Sequence, residues 1–312
     1  MAFLLFGVSI PLATADQNSD KEQSMNHGNI QFPMCLGRFR FALPVDITES
    51  GRSQSIYGVE LSTIPISSGG VKTIWGRYLS EIKAMQFKDQ KNVIIRIFEL
   101  LEGVPAVWYN SNPVFSHLRR LEVMKPYYDH VLLLRYLTDE GKEALVETFA
   151  RKVVDAYVTD ISRGFCIGHG SIISEPGFEE DAIASFQHTT LREFTLRFES
   201  HTIDEPASEH PMSSINEFAK EFAREGVKLE IVKNDYRIVA GLKGKEGIIS
   251  FEEPSKSALL RYTWHYAGAP GRADQPEITL LATGKQSDKA ELEDIWNRFL
   301  QSIQQVPMAQ TH

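Results

Sequence analysis

Hydrophobic and polar positions fall into two successive series of elements that run in a similar order along the chain. Each series opens with Cys-x-Gly followed by an apolar, strand-like run, first at residues 34–41 and again at residues 165–173. The two cysteines of the chain occupy matching places in these copies. This pattern predicts that the opening strand of one structural unit occurs twice.

Alternation and helical spacing predict a mixed set of elements in the first series. Ile74, Tyr78 and Ile82 recur at helical spacing, so an amphipathic helix is expected there. Glu102-Gly103 separates two apolar runs and predicts a hairpin. The predicted strands are 36–43, 56–64, 93–101, 104–109, 118–124 and 130–137, and a turn is predicted at 48–53. One helix is predicted at 71–87. A second helix is predicted to be capped by residues 138–140 and to reach residue 157.

The second series differs from the first mainly by a short additional helix, predicted at residues 177–186. Gly241, Gly244 and Gly247 predict a tight turn, and the stretch 267–276 predicts a loop. Strands are expected at 166–173, 191–198, 227–232, 236–242, 246–251, 258–266 and 277–282, and helices at 213–224 and from Ser287 to about Ile303. The tetrapeptide Leu-Leu-Arg-Tyr occurs at 133–136 and at 259–262 and supports a duplication.

The predicted fold class is α+β, with two related units that each form an antiparallel sheet with helices packed on one face. A length of 312 residues fits two domains. The expected division is a signal peptide at 1–15, a flexible leader at 16–30, an N-terminal domain at 31–160, a C-terminal domain at 161–306 and a tail at 307–312.

The amino-acid composition limits the classes of protein to which this chain can belong. Apolar residues make up 42% and charged residues 24% of the chain, as in ordinary globular proteins, and the net charge of −8 argues against nucleic-acid binding. The apolar run 2–12 followed by Ala13-Thr14-Ala15 predicts a secretory signal peptide, although no basic residue precedes it. The rest of the chain has no apolar run of membrane-spanning length, so stable membrane insertion is not expected.

The two cysteines leave two interpretations open. In an exported chain, Cys35 and Cys166 could form one disulfide that ties the two units together. Alternatively, both are free thiols that pack as small buried side chains. The sequence does not decide between them because the separation of the two Cα atoms is not known from it.

Motifs that carry chemistry are mostly missing, so no catalytic residue, cofactor or metal site is predicted. Gly168-His169-Gly170-Ser171 suggests a catalytic loop, but its serine lies within a strand pattern rather than at a strand-to-helix turn. His201 and His210 flank an acidic loop whose composition is typical of solvated loops. A binding protein is therefore expected rather than an enzyme.

Several segments carry a resemblance to a known family. They are Cys35-Leu-Gly-Arg-Phe with Leu43-Pro44, Phe165-Cys-Ile-Gly-His-Gly-Ser-Ile, the run from Phe178 to Phe186, and Glu293-Asp-Ile-Trp-Asn-Arg-Phe-Leu. Over residues 34–306 the chain resembles the Tle cognate immunity protein 4 family, the periplasmic immunity proteins that neutralise type VI secretion lipase effectors. The resemblance implies a periplasmic inhibitor that grips a cognate lipase between two domains in a heterodimeric complex.

If the partner binds between the two units, the loops at the edges of the units that face it should contact it. The candidate loops are 48–54, 109–116 and 267–275, and the candidate contact residues are Arg52, Tyr109, Asn110, Phe115, Arg272 and Asp274. Aromatic and arginine side chains are chosen because they dominate the binding energy of protein interfaces. The alternative function is a periplasmic ligand-binding or scaffold protein unrelated to toxins.

Overall fold

The computed structural model describes residues 32–66, 70–85, 93–112, 114–115, 117–173, 179–205, 226–252 and 257–307. The predicted signal peptide and leader, the predicted helix at 213–224 and His210 lie outside these ranges. The strands are β1 (Phe32–Gly37), β2 (Phe39–Leu43), β3 (Ile47–Ile56), β4 (Val59–Pro65), β5 (Ile94–Leu101), β6 (Val104–Asn110), β7 (Leu118–Pro126), β8 (His130–Asp139), β9 (Tyr157–Val158), β10 (Phe165–Ile167), β11 (Gly170–Ile172), β12 (Glu180–His188), β13 (Thr195–His201), β14 (Lys228–Val239), β15 (Leu242–Glu252), β16 (Leu259–Tyr266), β17 (Glu277–Lys285) and β18 (Gln304–Gln305). The helices are α1 (Gly70–Ala84), α2 (Glu143–Ala156) and α3 (Lys289–Ser302), the last preceded by a 3-10 turn at Gln286–Asp288.

The described strands form two antiparallel sheets, and both sheets are shared by both halves of the chain. The larger sheet has the order β14-β15-β16-β17-β13-β12-β3-β4-β8-β7-β6-β5, and the smaller has the order β18-β2-β1-β10-β11-β9. Strand β3 pairs with β12, and β1 pairs with β10, so the halves meet along backbone hydrogen bonds. The predicted antiparallel sheets with helices are confirmed, but a separate sheet for each half is not what the chain forms.

Each half places its strands in the same order from the centre of the larger sheet outwards. The N-terminal half runs β3, β4, β8, β7, β6, β5, and the C-terminal half runs β12, β13, β17, β16, β15, β14. The Leu-Leu-Arg-Tyr tetrapeptides do not follow this order. Leu133–Tyr136 lies in β8 and Leu259–Tyr262 in β16, which occupy different places in their halves.

The expectation that helices pack on one face is wrong for the N-terminal half. Helix α1 packs through Ile74 against Val131 and Leu133 of β8. Helix α2 belongs to the main core with Leu132 and Leu134, which point to the opposite face of the same strand. Both faces of β8 are apolar, so each face requires a helix to cover it.

The predicted helix at 177–186 is also wrong, because this segment contains strand β12. Ala182, Ala184 and Phe186 are buried at every second position, which is strand periodicity. The strand pairs with β13 on one side and β3 on the other. Burial between two neighbouring strands overrides the helical propensity of a segment that is rich in alanine and acidic residues.

Two predicted turns are parts of strands. Residues 48–53 belong to β3, whose polar side chains are largely exposed while its backbone pairs with β12. The turn expected over 241–247 lies at Ala240-Gly241, and Gly244 sits within β15. A Cβ atom at Gly244 would overlap the ring of the buried Trp264, so this glycine is required by packing.

The strands predicted at 227–232 and 236–242 form the single strand β14, and the strand predicted at 191–198 begins only at Thr195. Most of the other elements follow the predicted pattern. The hairpin β5–β6 turns at Glu102-Gly103, and α1 and α3 lie where helical spacing placed them. Trp108, Trp264 and Trp296 are fully buried, as expected for core residues, and Trp75 is partly buried. Strand β8 extends to Asp139, so the predicted cap at 138–140 is wrong and α2 begins at Glu143.

Candidate partner surface and the junction between the halves

The two Cys-x-Gly copies form equivalent tight hairpins at the junction between the halves. Each predicted strand is split in two, at Gly37 between β1 and β2 and at Gly168 between β10 and β11. Gly37 has φ of 57° and Gly168 has φ of 54°, in the left-handed region that favours glycine. The repeated glycine therefore allows each half to turn its first strand back on itself.

A disulfide joins Cys35 to Cys166 across this junction. Their Cα atoms are 5.6 Å apart, within the usual range for a disulfide, and 131 residues separate them along the chain. Strands β1 and β10 pair antiparallel with Gly37 opposite Cys166, which brings the two equivalent cysteines together. Both side chains are buried, so the bond is shielded from solvent.

A buried ion pair crosses the junction beside the disulfide. The Arg38 guanidinium donates two hydrogen bonds to the Glu180 carboxylate, from Nε at 2.7 Å and from Nη2 at 2.6 Å. Each side chain is 4% exposed. Gln54 adds a further link, because its amide Nε2 donates to the carbonyl oxygen of Cys166 at 2.5 Å. The junction therefore combines backbone pairing, a covalent bond and a desolvated charge pair.

Arg52 is placed on this junction rather than in a loop. It lies in β3, where its guanidinium pairs with Glu49 at 2.6 Å and donates to the carbonyl oxygen of Cys35 at 3.1 Å. Its side chain is 21% exposed. These contacts attach β3 to the smaller sheet, so Arg52 has structural partners already and presents little free surface.

Tyr109 and Asn110 are wrong as predicted loop residues, because both belong to β6 and are buried. The Tyr109 hydroxyl donates to the Glu122 carboxylate at 2.8 Å beneath helix α1. Burial raises the pKa of Tyr109. Burial also raises the pKa of Glu122, although the hydrogen bond from Tyr109 and the nearby arginines act to lower it. A polar pair enclosed in this way supports the fold and offers no contact to a partner.

Phe115 is exposed and lies close in the chain to Leu118, which lines a groove of mixed polar and apolar side chains in the N-terminal half. Its carbonyl oxygen accepts a hydrogen bond from the Leu118 backbone at 3.0 Å. Leu118, Leu137 and Leu145 line the neighbouring groove. The exposed fractions are 78% for Val114, 50% for Phe115, 47% for Leu137 and 56% for Leu145. We call Val114, Phe115, Leu118, Leu137 and Leu145 the Phe115 patch.

Arg272 and Asp274 lie in the loop between β16 and β17, as predicted. They pair with each other through two hydrogen bonds, and this pairing raises the pKa of Arg272 and lowers that of Asp274. The Asp274 carbonyl oxygen accepts a bond from Gln305 in β18. This loop therefore lies beside the smaller sheet, whereas the Phe115 patch lies beyond the start of β7 in the larger sheet.

The two edge strands of the larger sheet add exposed apolar side chains that sequence reasoning missed. Tyr236 and Ile238 in β14 are 64% and 70% exposed, and Ile95 and Ile97 in β5 are 50% and 49% exposed. Edge strands present unpaired backbone groups to solvent. Alternation alone did not reveal them, because an apolar residue in a strand is ordinarily assigned to the core.

The segment that suggested a catalytic loop does not place its serine beside a catalytic base. Ser171 lies in β11 and is fully buried, and its hydroxyl donates to the carbonyl oxygens of Asp160 and Arg163, the latter at 2.6 Å. His169 is exposed on the hairpin turn. Nucleophilic catalysis needs a serine within hydrogen-bond reach of its base, and here the serine is bonded to backbone instead.

His169 instead contributes to a cluster with Asp129 and His130. The Nδ1 atom of His130 is 2.6 Å from Asp129 Oδ1, and its Nε2 atom is 2.7 Å from the Tyr157 hydroxyl. The ring of His169 stacks on that of His130 with centroids 5.1 Å apart. No short spacing connects residues 129–130 with residue 169, so no sequence motif could indicate this cluster.

His201, the described member of the second histidine candidate, forms a pair with Asp181. Its Nδ1 atom is 2.7 Å from Asp181 Oδ1, and this hydrogen bond raises the pKa of His201. Residues 206–225, which include His210, lie outside the described ranges. Among the described helices, none has the length and apolar character needed to cross a membrane.

Comparison with known proteins gives matches at the level of a family model and of solved structures. The model described as the Tle cognate immunity protein 4 C-terminal domain matches residues 160–307. No curated protein sequence matches the chain.

Three solved structures share the fold over most of the chain. The crystal structure of the Tle4-Tli4 complex contains a chain with a TM-score of 0.73 and 17% identity, covering 89% of this chain and 98% of that one. The apo structure of the immunity protein TplEi of T6SS from Pseudomonas aeruginosa gives a TM-score of 0.71 with 17% identity and the same coverages. TplEi complexed with the "L" peptide gives 0.68 with 16% identity and again the same coverages. Identities this low establish a shared fold, and the match to the Tle cognate immunity protein 4 C-terminal domain model covers residues 160–307.

Proposed function

We propose that this chain is an immunity protein that binds a cognate type VI secretion lipase effector and inhibits it. The observation that carries the proposal is the match of residues 160–307 to an immunity-protein domain. The fold shared with the chain of the Tle4-Tli4 complex extends the likeness over both halves. The predicted one-to-one complex with the effector is part of this proposal.

The chain consists, in this proposal, of two related halves with the expected boundaries 31–160 and 161–306. Three observations support the duplication: the equal strand order of the halves, the matching left-handed glycines and the cysteines at equivalent places. Since both sheets run through both halves, the halves form one preassembled body. Such a body binds its partner without an ordering cost at the junction.

Export to the periplasm and the absence of enzymatic activity are further parts of the proposal. A buried disulfide is typical of proteins that fold in an oxidising compartment, which supports export by the predicted signal peptide. The bonding of Ser171 to backbone oxygens supports a role in binding rather than in hydrolysis. An immunity protein acts by occupying the effector's surface, so it requires no catalytic group.

We assign the Phe115 patch to the effector interface. Large apolar side chains with exposures near one half are costly on a free surface and are typical of interaction sites when they adjoin one another. Lys142 and Asp139 also line the groove, as expected for a polar rim around an apolar centre. Arg272 and Asp274, beside the smaller sheet, remain further proposed contacts.

The interface is tested by titrating the purified chain into its cognate lipase effector and measuring residual lipase activity. The wild-type chain should abolish activity at a one-to-one ratio. Phe115→Asp combined with Leu145→Glu should weaken inhibition by at least about tenfold, because charges would be buried in an apolar contact. The affected side chains are half exposed, so the fold should be retained.

Tyr128→Asp is the matched control, because Tyr128 is fully exposed on the turn at the opposite end of the β7–β8 hairpin. It should inhibit like the wild type. Full inhibition by the Phe115/Leu145 variant would show that this patch is not the interface. Unchanged lipase activity in the presence of excess wild-type chain would refute the proposed function itself.

A further inference from the structure

We propose that Asp129, His130 and His169 bind one divalent transition-metal ion, with zinc as the chemically preferred occupant. Each residue offers one ligand atom, and these atoms lie within 4.8 Å of one another. Within the described ranges, this is the one group of three such side chains that comes so close. Two imidazoles and a carboxylate form a donor set that suits zinc.

The surroundings of His130 favour a ligand role. The ring is 1% exposed, and it is fixed by the Tyr157 hydroxyl at Nε2 and by the parallel ring of Tyr127 at 5.0 Å. Metal-binding histidines usually donate the second ring N–H to an oxygen, which fixes their orientation. Because Nε2 lies against the Tyr157 hydroxyl, Nδ1 is the ring nitrogen that faces Asp129 and would face the ion.

The other two ligands can adjust to an ion because both are exposed. Asp129 Oδ1 and His130 Nδ1 are 2.6 Å apart and need only a small separation to share an ion at about 2.0–2.2 Å from each. His169 lies on the β10–β11 turn, where its stacked ring can rotate to present a nitrogen. Solvent exposure leaves the remaining coordination position for water.

The position of the site gives the ion a structural consequence. Asp129 ends the β7–β8 connection and His130 begins β8 in the N-terminal half, whereas His169 belongs to the first hairpin of the C-terminal half. A bound ion would therefore join the halves a second time, near the Cys35–Cys166 bond. Because the ion binds the folded chain and not the unfolded one, it should raise the melting temperature.

The test is calorimetric titration of zinc chloride into the full, oxidised, EDTA-treated chain at neutral pH. One ion should bind per chain, and His169→Ala and Asp129→Asn should each weaken binding by at least about tenfold. Zinc should raise the melting temperature of the wild type and leave that of both variants nearly unchanged. Asp129→Asn preserves side-chain size, so its loss of binding would not come from misfolding.

His201→Ala is the matched control, since His201 forms a similar pair with Asp181 at 2.7 Å without belonging to the cluster. It should bind zinc like the wild type. The inference is overturned if the wild type shows only the heat of dilution. It is also overturned if His169→Ala binds zinc as tightly as the wild type. Neither result depends on lipase inhibition, so this proposal and the proposed function fail separately.

Discussion

Replacing both cysteines by alanine is expected to lower the free energy of unfolding by about 5 kcal/mol. The bond closes a loop of 131 residues, and cross-linking a chain over that distance removes a large part of the entropy of the unfolded state. The loss should be large because the bond joins the first strands of the two halves. Urea unfolding of the oxidised wild type and of the Cys35→Ala/Cys166→Ala variant measures the difference.

Reduced wild-type protein provides the control for the cysteine variant. It keeps both sulfur atoms and loses only the bond, so it should unfold close to the alanine variant. An intact mass two hydrogens lighter than that of the reduced chain would establish the bond in the purified protein. A difference in unfolding free energy below about 1 kcal/mol between the oxidised protein and the variant would contradict the role given to the disulfide.

Glu180→Ala is expected to cost about 3–5 kcal/mol of unfolding free energy, because it leaves the Arg38 guanidinium buried without its carboxylate. Both side chains are 4% exposed, so water cannot replace the lost partner. Replacing both residues with apolar ones of similar size, Arg38→Met with Glu180→Leu, should recover most of the loss. Urea unfolding of the single and double variants at constant pH gives these values.

Glu49→Ala is the matched control, since the Arg52–Glu49 pair has a similar distance of 2.6 Å but exposures of 21% and 31%. Solvent screens that pair, and the expected cost is about 0.2–1 kcal/mol. Equal costs for the two alanine variants would mean that the junction does not depend on the buried charge pair.

The sequence predicted elements well where one periodicity dominates the segment. The β5–β6 hairpin, α1 and α3 carry clear turn or helical signals, and the structure places them accordingly. Strand β12 was not predicted because two of its alternating buried positions are Ala182 and Ala184, and alanine also favours helices. Strand β3 was not predicted because its polar run is held by pairing with β12, and a pairing partner is not encoded locally.

The two sequence matches behind the proposed duplication differ in how well the structure supports them. The Cys-x-Gly copies mark equivalent hairpins, because the glycine φ values and the disulfide require those residues there. The Leu-Leu-Arg-Tyr copies are a coincidence of apolar strands in non-equivalent positions. A motif with a backbone requirement is therefore the stronger evidence for duplication.

Candidate contact residues were less predictable than the fold. Tyr109 and Asn110 were predicted to lie in a loop, yet both belong to strand β6, which ends at Asn110. Phe115 could be selected as an exposed aromatic residue, but its neighbours Leu137 and Leu145 come from β8 and α2. A surface formed by several elements cannot be predicted from local sequence, because strand pairing is what brings its residues together.

The most direct test of the central claim is protection of living cells. Bacteria that direct the cognate lipase effector to the periplasm should stop growing, and co-expression of this chain should restore growth to the level of cells without the effector. The Phe115→Asp/Leu145→Glu variant should protect less than Tyr128→Asp. Cell death at the same rate with and without abundant, folded wild-type chain in the periplasm would contradict an immunity function.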